Sequence, residues 1–119
     1  MARTILIVED NQADRNRLEK LLSGAGYLVS TAEDGNQAIA AAKSSKPDAI
    51  FMDVNMPGLD GFAAARALRD DDKTKGIPVI LVTAKDQKAD QAWGQMLGAK
   101  GYITKPYTDE QILSQARAL

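Results

Sequence analysis

Residues 49–61, AIFMDVNMPGLDG, contain one complete unit of the pattern that runs through this chain. An apolar run typical of a buried strand leads directly into Asp53, and Pro57-Gly58 then forces a turn before a helix that we predict from Gly61. Three other apolar runs also lead into polar side chains: TILIV before Glu9-Asp10, PVILV before Thr83 and GYIT before Lys105-Pro106. If the four runs are parallel strands of one sheet, their polar clusters lie along one edge, where ligands bind in open α/β sheets.

Strand-like and helix-like segments alternate five times along the chain. We predict strands at 4–8, 27–31, 49–52, 79–82 and 101–104, helices at about 13–25, 36–44, 61–69 and 86–97, and a fifth helix that starts near 109 with Thr108 as its N-cap. This alternation indicates βαβ units, whose right-handed crossovers place helices on both faces of a parallel sheet. The sequence therefore predicts one α/β domain spanning residues 1–119.

The composition excludes several kinds of chemistry. The 119 residues include no cysteine and no histidine, which excludes disulfides, thiol catalysis, Cys/His zinc sites and Ser-His triads. The net charge of −1 gives no reason to expect nucleic acid or an anionic membrane as the main partner. The N-terminus does not resemble a signal peptide, and no apolar run approaches the ~20 residues of a membrane span. We therefore expect a cytoplasmic protein with no direct nucleic-acid binding and no membrane insertion.

Glu9, Asp10 and Asp53 form a predicted triad of carboxylates at this sheet edge. Three carboxylates held close together repel one another, so the pKa of at least one should rise unless a cation lies between them. A site with oxygen ligands and neither imidazole nor thiolate favours Mg²⁺, or Mn²⁺ as the alternative, over zinc. Capping of the first helix by the Glu9-Asp10 pair is a competing role that can coexist with metal binding.

Asp53 is also a candidate nucleophile, because an aspartate carboxylate can attack phosphorus to give an aspartyl phosphate. Such a transfer needs little beyond positioning and neutralisation of charge on the phosphoryl oxygens. The Lys105 ammonium and the Thr83 hydroxyl are the candidates for that task, beside the metal. No general base is required, because an aspartate is already ionised at neutral pH.

Four motifs in this chain resemble the receiver domains of bacterial two-component response regulators, of the single-domain CheY-like kind. The motifs are ILIVEDN (5–11), IFMDVNMPGLDG (50–61), PVILVTA (78–84) and GAKGYITKP (98–106). They occur in the family's order, and the resemblance covers essentially the whole chain. It implies a flavodoxin-like (βα)5 doubly wound fold, with a five-stranded parallel sheet in the order 2-1-3-4-5 and helices on both faces.

The resemblance also implies a role for each residue of the predicted metal site. Asp53 would accept the phosphoryl group and Asp10 would ligate the metal directly. Glu9 would act through a water molecule, and Asn55 would offer its backbone carbonyl.

The phosphoryl-binding and switch residues come from the same resemblance. Thr83 and Lys105 would bind phosphoryl oxygens, and Tyr102 occupies the position of the family's aromatic switch residue, so Thr83 and Tyr102 form the expected switch. The family usually has a cis bond in its Lys-Pro pair, here Lys105-Pro106.

The function implied is that of a signalling switch, with only self-directed phosphoryl transfer and autodephosphorylation as chemistry. The expected partners are a CheA-like histidine kinase and a target protein bound through the fourth helix, fifth strand and fifth helix. Residues 85–106, KDQKADQAWGQMLGAKGYITKP, are similar to response regulators of type IV pilus chemosensory systems, which control twitching motility or phototaxis. We expect a monomer or a weak, phosphorylation-dependent dimer.

Three alternatives remain open on the sequence. The chain could be the receiver part of a longer transcriptional regulator, or a phosphate sink for a kinase. From another class, haloacid-dehalogenase-type Mg²⁺ phosphatases also combine an aspartate nucleophile with a hydroxyl, a lysine and an acidic pair. In those enzymes the nucleophile precedes the other motifs and a second aspartate follows two residues later, whereas here the acidic pair comes first and Asn55 takes that position.

Overall fold

The computed structural model describes residues 3–54, 58–83 and 98–119. Five parallel strands form one sheet: β1 (Thr4–Val8), β2 (Leu28–Ala32), β3 (Ala49–Asp53), β4 (Val79–Thr83) and β5 (Gly101–Thr104). The described helices are α1 (Gln12–Gly24), α2 (Gly35–Ser45), α3 (Gly61–Asp70) and the C-terminal helix (Asp109–Arg117). The strand order is β2-β1-β3-β4-β5, which confirms the predicted fold. The helix predicted at 86–97 lies outside the described residues.

The sheet separates two apolar clusters, because successive side chains of a strand point to opposite faces. On one face, Ile50 and Met52 of β3 pack with buried residues of α2 and α3. On the other face, Phe51 packs with α1 and the C-terminal helix. All five residues of β3 are buried, whereas β2 at the edge of the sheet is mostly exposed and leaves Leu28 60% accessible. The central strand therefore carries Asp53 out of a core that is packed on both sides.

Each described helix begins at a polar N-cap residue. Asn11 caps α1 by accepting a hydrogen bond from the backbone N–H of Asp14 at 3.0 Å. Thr108 caps the C-terminal helix and forms a capping box with Gln111, which confirms the predicted cap. The alternative role of Glu9 and Asp10 as caps of α1 is wrong, because the Asn11 side chain accepts the hydrogen bond from that N–H. Both carboxylates are left available for other contacts.

No end of a described strand or helix differs from its predicted position by more than one residue. Asp53 and Thr83 are the last residues of β3 and β4 rather than the first residues after them. Among the helices that the structure describes, none has both the length and the apolar character to cross a lipid bilayer.

Candidate functional site

The carboxyl ends of four strands bring the predicted site residues to one edge of the sheet. Glu9 directly follows β1, Asp53 ends β3, and β1 and β3 are paired neighbours. Thr83 ends β4, and its carbonyl accepts a hydrogen bond from the backbone N–H of Lys105 at 2.6 Å. Residues separated by as many as 96 positions in the chain thus meet in one place.

Glu9, Asp10 and Asp53 form a compact group of carboxylates. One ligand oxygen from each lies within 4.8 Å of the other two. Glu9 and Asp53 are buried, with 2% and 5% of their surface accessible, whereas Asp10 is exposed. Oxygen donors from two buried acids and one exposed acid suit a hard cation that keeps part of its water shell, as Mg²⁺ does. Asn55, the fourth predicted ligand, lies outside the described residues.

Lys105 forms ion pairs with both Glu9 and Asp53. Its ammonium nitrogen lies 2.9 Å from Glu9 Oε1 and 3.5 Å from Asp53 Oδ2. Burial alone would lower the pKa of Lys105, but the hydrogen bond to Glu9 and the charge of Asp53 outweigh it and raise the pKa above its ordinary value. The lysine is therefore held as a cation directly beside Asp53.

The pKa of Glu9 is raised from 4.5 to about 8. Burial of the carboxyl group is the main cause, followed by a hydrogen bond to Asp53, while Lys105 acts in the opposite direction. The predicted rise in the pKa of one carboxyl group is found, but burial contributes more to it than the neighbouring charge of Asp53. The group of acids holds a proton near neutral pH unless a cation takes its place, so the donor set fits a divalent metal.

Two residues in the first turn of α1 make contacts at the site that were not predicted from the sequence. Asp14 Oδ2 lies 3.4 Å from the Lys105 ammonium. Arg15 donates a hydrogen bond to the backbone carbonyl of Glu9 at 2.9 Å and forms an ion pair with Glu33 at 3.5 Å. The one available signal was their place just after the Glu9-Asp10 pair, at the start of a helix that begins on the same sheet edge.

The family model for the response regulator receiver domain matches residues 5–117. The chain belongs to this family. Protein PilH of Pseudomonas aeruginosa is 45% identical over 119 residues, which span all of this receiver domain and 98% of PilH. The match favours the receiver interpretation over a haloacid-dehalogenase-type phosphatase.

Solved structures agree with the family match. The chemotaxis protein CheY4 of Vibrio cholerae superposes on this receiver domain with a TM-score of 0.93 at 32% identity, and covers 99% of this chain and 98% of its own. The receiver domain of the sensor histidine kinase PA1611 from Pseudomonas aeruginosa PAO1 has a TM-score of 0.91 at 31% identity, with 99% and 97% covered. The latter structure has a magnesium ion coordinated in its active-site cleft.

The start of α3 packs directly against the end of β3 in this receiver domain. The N–H of Gly61 donates a hydrogen bond to the Val54 carbonyl at 3.0 Å. A Cβ atom added to Gly61 would lie 2.3 Å from the backbone oxygen of Asp53, closer than any real contact. Glycine is therefore required here for α3 to start so close to Asp53.

The two predicted switch residues lie on neighbouring strands. Thr83 is completely buried at the end of β4, and Tyr102 of β5 is partly buried against the cluster that includes α2 and α3. Tyr102 pairs in register with Leu81, two residues before Thr83. The Lys105-Pro106 peptide bond is cis, as the resemblance implied.

Proposed function

We propose that this receiver domain is a phosphorylation-dependent switch in which Asp53 accepts a phosphoryl group from a CheA-like histidine kinase. The observation that carries the proposal is the group around Asp53: two further carboxylates within 4.8 Å and an ammonium 3.5 Å away, at the open edge of the sheet. Transfer of a phosphoryl group to a carboxylate needs this combination of charges.

Glu9, Asp10 and Asp53 would hold Mg²⁺, with the Asn55 carbonyl as a further ligand. When bound, the ion supplies positive charge to the phosphoryl oxygens. An Asp53 carboxylate oxygen attacks phosphorus, an O–P bond forms, and the bond from phosphorus to the donor nitrogen breaks. Lys105 is already beside Asp53 and would donate a hydrogen bond to a phosphoryl oxygen, without any proton transfer.

Thr83 would complete the phosphoryl site and act as the switch together with Tyr102. Its hydroxyl can donate to a phosphoryl oxygen, and a shift of Thr83 would change the space that Tyr102 occupies on the adjacent strand. The output surface would consist of the segment 86–97, β5 and the C-terminal helix. The protein would then act by changing its partner contacts, not as an enzyme on other substrates.

The likeness to PilH over its whole length supports a role in chemotaxis-like control of type IV pilus motility. We propose that the receiver domain works there as a monomer or a weak dimer that forms on phosphorylation. A pull-down from cell extract with and without beryllofluoride, which mimics the phosphoryl group, tests this placement. Pilus-system proteins retained only with beryllofluoride support it, and retention of an unrelated regulator contradicts it.

Labelling with ³²P-acetyl phosphate tests the phosphoacceptor directly. Asp53→Asn should abolish Mg²⁺-dependent labelling, because the amide cannot form the acyl phosphate. Asp72→Asn is the matched control, since the Asp72 side chain is 93% exposed and pairs with Lys75 in the turn after α3. Labelling of Asp53→Asn at the wild-type level would refute the assignment.

A further inference from the structure

The Lys105 ammonium is in contact with one carboxylate that the proposed metal and phosphoryl machinery does not use. Asp14 Oδ2 lies 3.4 Å from this nitrogen, about as close as Asp53 at 3.5 Å. Asp14 belongs to the first turn of α1, and its side chain is 41% exposed. Lys105 is thus surrounded by Glu9, Asp14 and Asp53.

We infer that Asp14 is a positioning residue that holds the Lys105 ammonium in competition with an incoming phosphoryl group, and so weakens the phosphorylated state. The inference rests on the proposed function and deepens it. An ammonium has three N–H donors, and three carboxylates already surround this one. A phosphoryl oxygen must therefore replace one of the existing contacts.

The contact with Asp14 is the one that exchanges at the lowest cost. Glu9 is buried and forms the shortest contact with the ammonium, at 2.9 Å. If Lys105 gave up this contact, the Glu9 carboxylate would be left poorly solvated. Asp53 carries the new group and stays in place. The Asp14 carboxylate is the most exposed of the three, so water can solvate it when the lysine turns away.

Asp14 also opposes the new group by its charge. Asp14 and Asp53 lie within 3.5 Å of the same nitrogen atom, so the phosphoryl oxygens would develop charge close to the Asp14 carboxylate. Removal of that charge should tighten binding of a phosphoryl mimic by about fivefold at low salt, as expected for a partly exposed pair. The gain should shrink in 1 M salt, where the screening length is only about 3 Å.

Titration with beryllofluoride at saturating Mg²⁺, followed by ¹⁹F NMR, tests the inference. Asp14→Asn and Asp14→Ser should both bind beryllofluoride about fivefold more tightly than wild type at low salt. Asp14→Glu keeps the charge and should stay close to wild type. Asp72→Asn, which makes the same change in net charge on an exposed turn, should also match wild type.

The outcomes distinguish a failure of this inference from a failure of the proposed function. If wild type binds beryllofluoride but neither Asp14→Asn nor Asp14→Ser binds it more tightly, the competition is refuted and the phosphoacceptor role stands. A gain that persists unchanged in 1 M salt also refutes it, because a purely structural effect would not be screened. If wild type itself binds no beryllofluoride, both the inference and the proposed function fail.

Discussion

Glu9 has a buried carboxyl group whose pKa lies near neutral pH. Its carboxyl group is 2% exposed, contacts Lys105 and Asp53, and has a pKa of about 8 instead of 4.5. In the folded protein without divalent ions, Glu9 therefore keeps a proton that the unfolded chain has already released at neutral pH. A metal that binds here must displace this proton, which makes metal affinity depend on pH.

The free energy of unfolding of the metal-free protein should therefore fall as the pH rises from about 5 to 8. The folded state binds more protons than the unfolded state over this interval, so each step up in pH favours unfolding. We expect a loss of roughly 2 kcal/mol, less than the full shift would give because the site lies at the open edge of the sheet, where water screens its charges. Urea denaturation in a chelating buffer at several pH values measures it.

Glu9→Gln is the matched control for this pH dependence, because glutamine keeps the shape and cannot ionise. The stability of the variant should change much less over the same interval. Mg²⁺ added to the wild-type protein at pH 8 should restore the stability that it loses without the metal. An equal fall in the variant would show that another group is responsible.

At the scale of elements, the contact between the end of β3 and the start of α3 makes the position of Asp53 depend on a glycine. Gly61→Ala should destabilise the fold by about 2 kcal/mol, because the new methyl group meets the Asp53 backbone at 2.3 Å. It should also slow labelling by acetyl phosphate, since relief of the clash must move Asp53. Thermal unfolding and the labelling rate provide the two measurements.

Gly76→Ala is the control for this substitution. A Cβ atom at Gly76 would have nothing within 4 Å, so stability and labelling should stay at the wild-type level. If Gly61→Ala left both stability and labelling unchanged, the close approach of α3 to Asp53 would be disproved.

The order and the type of the elements could be predicted because apolar periodicity, glycine and proline report directly on backbone structure. The convergence of Glu9, Asp53, Thr83 and Lys105 followed from the parallel sheet alone. The contacts of Asp14 and Arg15 could not be predicted, because polar residues on the first turn of a helix show no periodic pattern and their side chains have many rotamers. Among the described residues, the structure alone revealed that Asn11, rather than an acid, caps α1.

At the scale of the whole molecule, the same central strand contributes to the core and holds Asp53 at its end. Phe51 is completely buried and packs on the face of α1 and the C-terminal helix. Phe51→Ala should cost about 3–5 kcal/mol of stability, because it removes a large side chain from a close-packed core. Leu28→Ala on the exposed edge strand should cost much less, since Leu28 is 60% exposed. Urea denaturation measures the loss of stability in each variant, and equal losses would contradict the prediction.

The exposed Leu28 has a practical consequence for studying partners. It is the first residue of β2, at the end of the sheet opposite the acidic group, and the chain contains no cysteine. A single Leu28→Cys substitution therefore creates a unique thiol for a fluorescent dye. Such a conjugate would report by anisotropy when a histidine kinase or a target protein binds, with the dye at the opposite end of the sheet from Asp53.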